Sequence, residues 1–412
     1  MVGETSIFYF SCISYDYALL QRPQQLFNAW RQRNDESCEF FFVDFPDYFS
    51  WSISSIVHFI RRRYHSLART NRRIETVERK EEPNVLRGWF YLPLEQIGSN
   101  LLERLSVFEK INRLIINGFF MHRILSAGAA RFDNKVAIVA HPSWEPFVSK
   151  QNFDVICYDY LDEIGVFSNE RSYDAVRRLQ EKLIEKSDIV FVTSEAMKER
   201  VRAVASQKEV ITVSNGVNMD FFQENKSATH ISDYQKSNRK TVGYVGSFYE
   251  WVDIDLIYDA AKSLQSADFV LVGPAEDLDT NYVSSTPNNV FLLGTKDYKQ
   301  VPAYIELFDV ALIPFKKDDT ARFADPIKLY EYFSLGKAVV ATPLEQLKRF
   351  DDGNKMIIAQ TTQDFIEGIE FFLVNDNEAW QEARKKVAKT NSWSSKASTM
   401  VNCIESRIGE RS

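Results

Sequence analysis

Lys328 and Glu331 lie three positions apart within Ala324-Asp325-Pro326-Ile327-Lys328-Leu329-Tyr330-Glu331-Tyr332-Phe333-Ser334-Leu335-Gly336-Lys337, a spacing that puts both on one helix face. A cation placed there can meet a diphosphate, and a carboxylate one turn further on can accept hydrogen bonds from a ribose. Pro326 suits the first turn of a helix, where its missing N–H costs nothing, and Asp325 suits the cap. Gly336 then stops the helix, and Ala338-Val339-Val340-Ala341-Thr342 reads as the buried strand that follows. The positive end of the helix dipole beside a lysine is a ready place for phosphate, so the segment reads as a nucleotide-sugar site. The plainer alternative is an amphipathic helix carrying a surface ion pair.

The elements that would position this helix form a long alternation of strands and helices. Ser6 to Ile13 is a first apolar run, Gln21 to Phe27 begins a helix, and Cys38 to Phe45 is a second apolar run. Strand, helix, strand implies a parallel sheet, whose ligands collect beyond the carboxyl ends of the strands. Ser14, Tyr15, Asp16 and Arg22 are cleft candidates on that ground. His141 follows the strand-like run 135–140, and Asp162 with Glu163 follows the run 154–160. The histidine can donate to sugar hydroxyls, and either carboxylate can orient or deprotonate an acceptor hydroxyl. Simple strand-end and helix-cap roles would account for the same three residues.

Gln223 to Lys240 is polar and aperiodic and reads as a linker. It divides an N-terminal Rossmann-like domain, 1–222, from a second βα series over 241–390, with a last helix at 391–412 expected to cross back. Gly243-Tyr244-Val245-Gly246-Ser247 allows a tight turn and a close approach of Gly246 and Ser247 to phosphate. Thr295 and Tyr298, just past another strand, could hold a base through backbone groups and ring stacking. Asp253-Ile254-Asp255 reads as a helix cap rather than a metal-binding pair.

At 412 residues and 45% hydrophobic content the chain supports two core-bearing domains. Its net charge of −7 argues against a nucleic-acid binder. Four dispersed cysteines without CxxC spacing fit a reducing cytoplasm. Glu4 stands where a signal peptide carries positive charge, and no run is apolar enough to span a bilayer. The segment 51–80 is different, because Arg61, Arg62, Arg63, Arg69, Arg72 and Arg73 crowd an apolar stripe at helical spacing. Such a segment suits an anionic membrane face or a phosphate-bearing lipid acceptor, or else packs its stripe on its own domain. The expected location is cytoplasmic, with peripheral contact at the inner face of the membrane.

The ordered pieces Ser187 to Ser194, Ser214-Asn215-Gly216-Val217-Asn218, Gly243 to Gly246 and Asp325 to Val340 resemble the GT-B glycosyltransferases of the large family 4 group. The resemblance implies an α/β GT-B fold of two Rossmann-like domains facing a cleft, with the C-terminal helix packing back on the first. It also implies transfer of a sugar from a nucleotide diphosphate sugar, expected to be a UDP-sugar, to a glycan or lipid-linked acceptor of bacterial-type surface polysaccharide synthesis. Retention of configuration and no metal or other cofactor would follow. By the same resemblance Glu331 would bind ribose, Lys328 the diphosphate, Gly246 and Ser247 the phosphate-facing loop, and His141 the transferred sugar. Two departures stand out. A glutamate common eight residues before the ribose-binding one is Phe323 here, leaving Arg322 or Asp325 to compensate, and Phe248-Tyr249-Glu250-Trp251 replaces the usual basic pair. The missing glutamate keeps an inverting mechanism with Asp16, Asp162 or Glu163 as base open, and the two departures together suggest a catalytically silent nucleotide-sugar-binding or scaffold subunit; an epimerase or hydrolase on the same scaffold is a further alternative.

Overall fold

The computed structural model describes residues 4–15, 20–33, 37–44, 85–86, 121, 125, 133–163, 170–227, 231, 233–274, 278, 280–318 and 321–411. Asp16 and the six arginines of the 51–80 segment lie outside them.

The apolar runs form two wholly parallel sheets. The first contains β1 (Thr5–Phe10), β2 (Cys38–Val43), β3 (Val85–Leu86), β4 (Asn134–Val139), β5 (Val155–Tyr160), β6 (Ile189–Val192) and β7 (Glu209–Thr212), in the order β3-β2-β1-β4-β5-β6-β7. The second contains β8 (Lys240–Val245), β9 (Ala267–Val272), β10 (Val290–Leu292), β11 (Val310–Ile313), β12 (Ala338–Ala341) and β13 (Met356–Ile358), in the order β10-β9-β8-β11-β12-β13. Every residue of β1, β11 and β12 is buried, as strands covered on both faces require. In each sheet the order reverses beside the first strand of its series, and a switch point of this kind opens a crevice at the carboxyl ends.

Helix α1 (Arg22–Arg31) follows β1. Later come α2 (Glu170–Lys186), α3 (Glu195–Val204), α4 (Met219–Asn225), α5 (Ile254–Ser263), α6 (Val301–Glu306) and α7 (Ile327–Ser334). The chain closes with α8 (Thr362–Asn375), α9 (Glu378–Thr390) and α10 (Trp393–Arg411). Ala397, Met400, Val401, Ile404 and Ile408 make a helical stripe on α10 that is buried in the first domain's core with Leu26 and Trp30 of α1. The Trp30 indole donates to the Ala397 carbonyl at 3.0 Å, fixing α10 against α1. The last helix thus crosses back as the resemblance implies.

The polar stretch 223–240 is tied to the second domain rather than strung between the two. Phe222 and Tyr234 are buried in that domain's core, the Tyr234 hydroxyl donates to Asp268, and Asp233 pairs with Lys296 at 2.9 Å. Aperiodic polar sequence looks like a linker, yet here its polar side chains are the attachments. The chain crosses instead near Val217, where Val217 N–H donates to the Asn391 carbonyl and Trp393 N–H to the Val217 carbonyl, both at 3.1 Å. A Cβ on Gly216 would lie 2.5 Å from the Asn391 carbonyl oxygen, so the two crossing segments pass only because this residue has no side chain.

Arg22 gathers the first domain's strand ends. It is 3% exposed, and its guanidinium pairs with the fully buried Asp159 at 2.8 Å and donates to the Val213 carbonyl at 2.8 Å. Tyr9 donates to the other Asp159 oxygen at 2.9 Å. Removing one member of a buried pair strands the other charge. Arg22→Met is therefore expected to lower stability by about 3 to 5 kcal/mol, read from the denaturant midpoint. A change under about 1 kcal/mol would contradict this role.

Candidate active site

The second domain builds its half of the site on two close approaches. Gly246 follows β8 with φ 149°, in the region that favours glycine, and a Cβ there would lie 2.2 Å from Lys328 Cε and 2.6 Å from Nζ. The lysine of α7 thus fills the space a side chain at 246 would need. A Cβ on Gly273 would in turn lie 2.0 Å from the Gly246 carbonyl oxygen. Tyr244 donates to the Ser247 carbonyl at 2.9 Å, and the Tyr332 hydroxyl accepts from Val245 N–H at 3.0 Å, so the loop is held from both sides.

Lys328 Nζ lies 5.7 Å from the centre of the Tyr244 ring, and among the described residues no carboxylate is within 4.0 Å of it. Burial lowers its pKa, while Glu331 acts in the opposite sense. Glu331 is 7% exposed; burial raises its pKa, countered by Lys328 and by a hydrogen bond of 2.9 Å from the Tyr298 hydroxyl. Leu329 is fully buried, and its N–H donates to the Pro326 carbonyl. Gly336, at φ 73°, and Lys337 send their N–H groups to Phe333 and Tyr332, completing the glycine stop expected for this helix.

Asp325 does different work from the helix cap expected of it. Pro326 occupies the cap position with no side-chain cap, and the Asp325 carboxylate accepts from Asn215 N–H and the Tyr330 hydroxyl. Asn215 answers by donating to the Asp325 carbonyl at 2.7 Å. The pair joins the loop after β7 to the start of α7, across the two domains. Tyr298 also spans the domains, because Gln25 of α1 donates to its hydroxyl at 3.3 Å while its ring stacks on Phe221 at 5.1 Å. Thr295 is exposed nearby. Arg322 is exposed above the Phe323 ring at 4.9 Å, and Phe323 packs on the first domain's core. The residue at the family's glutamate position therefore makes an apolar contact between domains.

In the first domain the candidate residues follow the ends of β4 and β5. The His141 Nδ1 accepts from Ser143 N–H at 3.2 Å, which puts its ring proton on Nε2. Burial lowers its pKa to about 4, so at neutral pH it is an uncharged donor. Asp162 keeps an accessible surface, yet the enclosing cleft pushes its carboxyl up to about 6, with Arg22 opposing and Asp159 and Asp325 adding to the shift. Glu163 is buried, accepts from Tyr160 at 2.6 Å and pairs with Arg200 at 3.0 Å, which leaves it holding structure together. His141 and Asp162 thus stand at strand ends of the first domain and Lys328 and Glu331 on α7 of the second, whereas Glu163 is turned onto α3. Motif spacing gives Gln25, Asn215 and Tyr244 no role, yet each contacts a candidate site residue: Tyr298, Asp325 and Lys328 respectively. Each lies inside a segment with its own sequence signal, Gln25 at a helix start and Asn215 and Tyr244 in motifs shared with the family, but only the fold brings them to those residues.

A family model described as glycosyl transferases group 1 matches residues 239–375, the portion that holds Gly246, Lys328 and Glu331. This chain is a glycosyltransferase. It is 26% identical over 296 residues to the putative teichuronic acid biosynthesis glycosyltransferase TuaH of Bacillus subtilis, covering 67% of this chain and 74% of that protein. Sucrose-phosphate synthase from Thermosynechococcus elongatus superposes with a TM-score of 0.66 at 13% identity, covering 99% of this chain and 100% of the other. A trehalose-6-phosphate protein from E. coli, bound with UDP-2-fluoro glucose, gives a TM-score of 0.63 at 9% identity, covering 97% of this chain and 99% of the other. These neighbours give the transferase its fold, GT-B. Among the described residues no helix is long and apolar enough to cross a membrane.

The two first-domain groups titrate in opposite senses. An unfolded chain protonates its histidine near 6.5, above the folded value of about 4, so the contribution of His141 to stability is lost as pH falls through that window. Asp162 holds its proton up to about 6, above the ordinary 3.8, so its contribution weakens as pH rises between these values. Nitrogen-15 NMR at pH 6 is expected to find His141 neutral and protonated on Nε2. An imidazolium at that pH would contradict the assignment.

Proposed function

We propose that this glycosyltransferase moves a sugar from a UDP-sugar to a glycan or lipid-linked acceptor in the assembly of a cell-surface polysaccharide. The observation that carries the donor site is the Lys328 ammonium, seated where a Gly246 side chain would be and without a carboxylate within 4.0 Å among the described residues. A cation kept unpaired beside a glycine loop and a helix N-terminus suits a diphosphate. The relative's name supports the polysaccharide class, and the E. coli neighbour is bound with a derivative of a UDP-sugar, the class of donor proposed.

In this reading Glu331 accepts hydrogen bonds from the ribose, and Lys328 with the first turn of α7 neutralises charge on the leaving phosphate. No step requires a metal. His141 donates its Nε2 proton to a hydroxyl of the transferred sugar. The bond from the anomeric carbon to the phosphate oxygen breaks, its electron pair leaving with UDP. The acceptor oxygen bonds the same carbon from the same face, and its proton passes to the leaving phosphate. Closure of the domains aligns the two oxygens and excludes water. Asp162 lies on the acceptor side, where it orients the incoming hydroxyl. The basic segment 51–80 is assigned to the acceptor or its membrane.

The test is UDP release and product anomer, followed by proton NMR, with a panel of UDP-sugars and cell-surface glycan fragments. Acceptor-dependent release with retention is expected. Gly246→Ala, which displaces Lys328, should lower kcat/KM about 10²-fold or more, the scale of losing one donor to a developing oxyanion. Absence of release with every pair, or a Gly246→Ala enzyme as active as wild type, would overturn the proposal.

A further inference from the structure

Tyr298 lies on the 3-10 turn after β10, and its hydroxyl has two partners on different elements. It donates to Glu331 Oε1 at 2.9 Å and accepts from Gln25 Nε2 at 3.3 Å. A phenol has one proton, and the acceptor-only carboxylate takes it, so Gln25 must turn its amide N–H toward Tyr298. The ring has no freedom to serve otherwise, because Phe221 stacks on it at 5.1 Å and 15° and Phe222 meets it edge-on at 6.2 Å. Gln25 is 4% exposed and belongs to α1, whose base is fixed by Arg22 and whose outer face is fixed by α10. Glu331 belongs to α7 of the other domain and uses only one carboxylate oxygen in this contact. Among the described residues the other oxygen accepts no hydrogen bond.

We propose that Gln25, Tyr298 and Glu331 form a relay through which the placement of the first domain sets the orientation of the nucleotide-binding carboxylate. The relay rests on the reading of Glu331 as a ribose ligand. Tyr298 is a positioning residue in it: it touches no reacting atom and takes no base on its ring. With both domains in place, the hydroxyl pins Oε1 and leaves the second oxygen aimed at the ribose. When the domains part, Gln25 withdraws, and Tyr298 loses the donor that fixes its hydroxyl toward Glu331. Nucleotide affinity therefore depends on a residue of the domain that does not carry the nucleotide.

The experiment is isothermal titration of UDP and of 2′,3′-dideoxyuridine diphosphate into wild type, Gln25→Leu, Tyr298→Phe and the double variant. Tyr298→Phe keeps the ring on Phe221, and Gln25→Leu sits on another element, so a folding failure in one leaves the other informative. UDP should bind about tenfold more weakly to Tyr298→Phe and about threefold more weakly to Gln25→Leu. The double variant should match Tyr298→Phe within about twofold, because the glutamine acts only through the tyrosine. With the dideoxy nucleotide both losses should shrink below about twofold, a distinction a merely structural role would not produce. Multiplying effects, equal losses with both nucleotides, or variants that bind UDP as wild type does would overturn the relay alone. Failure of wild type to bind UDP would overturn the relay together with the donor-site reading.

Discussion

An ammonium held close to a glycine, with no carboxylate within 4.0 Å of it among the described residues, is the constraint on which the site depends. Desolvating a charge is unfavourable, and Lys328 offsets that cost only in part through the Tyr244 ring and the nearby Glu331. The loop tolerates the lysine because Gly246 has no side chain and adopts a φ of 149°. Tyr244 and Tyr332 then hold that loop by its Ser247 carbonyl and Val245 amide. A structural lysine would be expected to find a carboxylate partner. Positive potential left available at a helix start is the usual condition for anion binding.

The two domains are tied by side chains rather than by the chain crossing alone. Arg22 anchors the Val213 carbonyl and reaches the Asn215 side chain at 3.3 Å, while Asn215 exchanges hydrogen bonds with Asp325. Lys396 of α10 adds a bond of 2.8 Å to Ser214 and another of 2.7 Å to Asn391, so both crossing segments are held at one place. Gln346 donates to the Thr193 carbonyl on the opposite side of the cleft at 2.8 Å. Beside these polar contacts, Phe323 and Ile327 pack on the first domain's core, so the interface among the described residues is mixed in character.

The parallel sheets and the glycine stop at Gly336 were legible because each follows from local chemistry, whereas the return of α10 to the first domain followed from the family resemblance. Continuous apolar runs and a glycine after a helical pattern carry their own signals. Lys328 and Glu331 were legible as a pair on one helix face for the same reason. Asp325 was misread because a carboxylate before a helix usually caps it, whereas here Asn215 and Tyr330 compete for it across space. Nor could the sequence distinguish Asp162 from Glu163: only the positions of Tyr160 and Arg200 turn Glu163 away from the cleft. Gln25 was invisible because its partner lies 273 positions away on another domain. The stretch 223–240 misled because polarity marks exposure to water and polar attachment equally well.

The most direct test of the donor site is isothermal titration of UDP, GDP and ADP into wild type and Lys328→Ala. The account predicts that UDP binds at micromolar strength and that the variant loses about 1.5 to 3 kcal/mol, the scale of a hydrogen bond to a charged group. If none of the three binds, or if Lys328→Ala binds as tightly as wild type, the ammonium beside Gly246 is not a diphosphate site and the account fails.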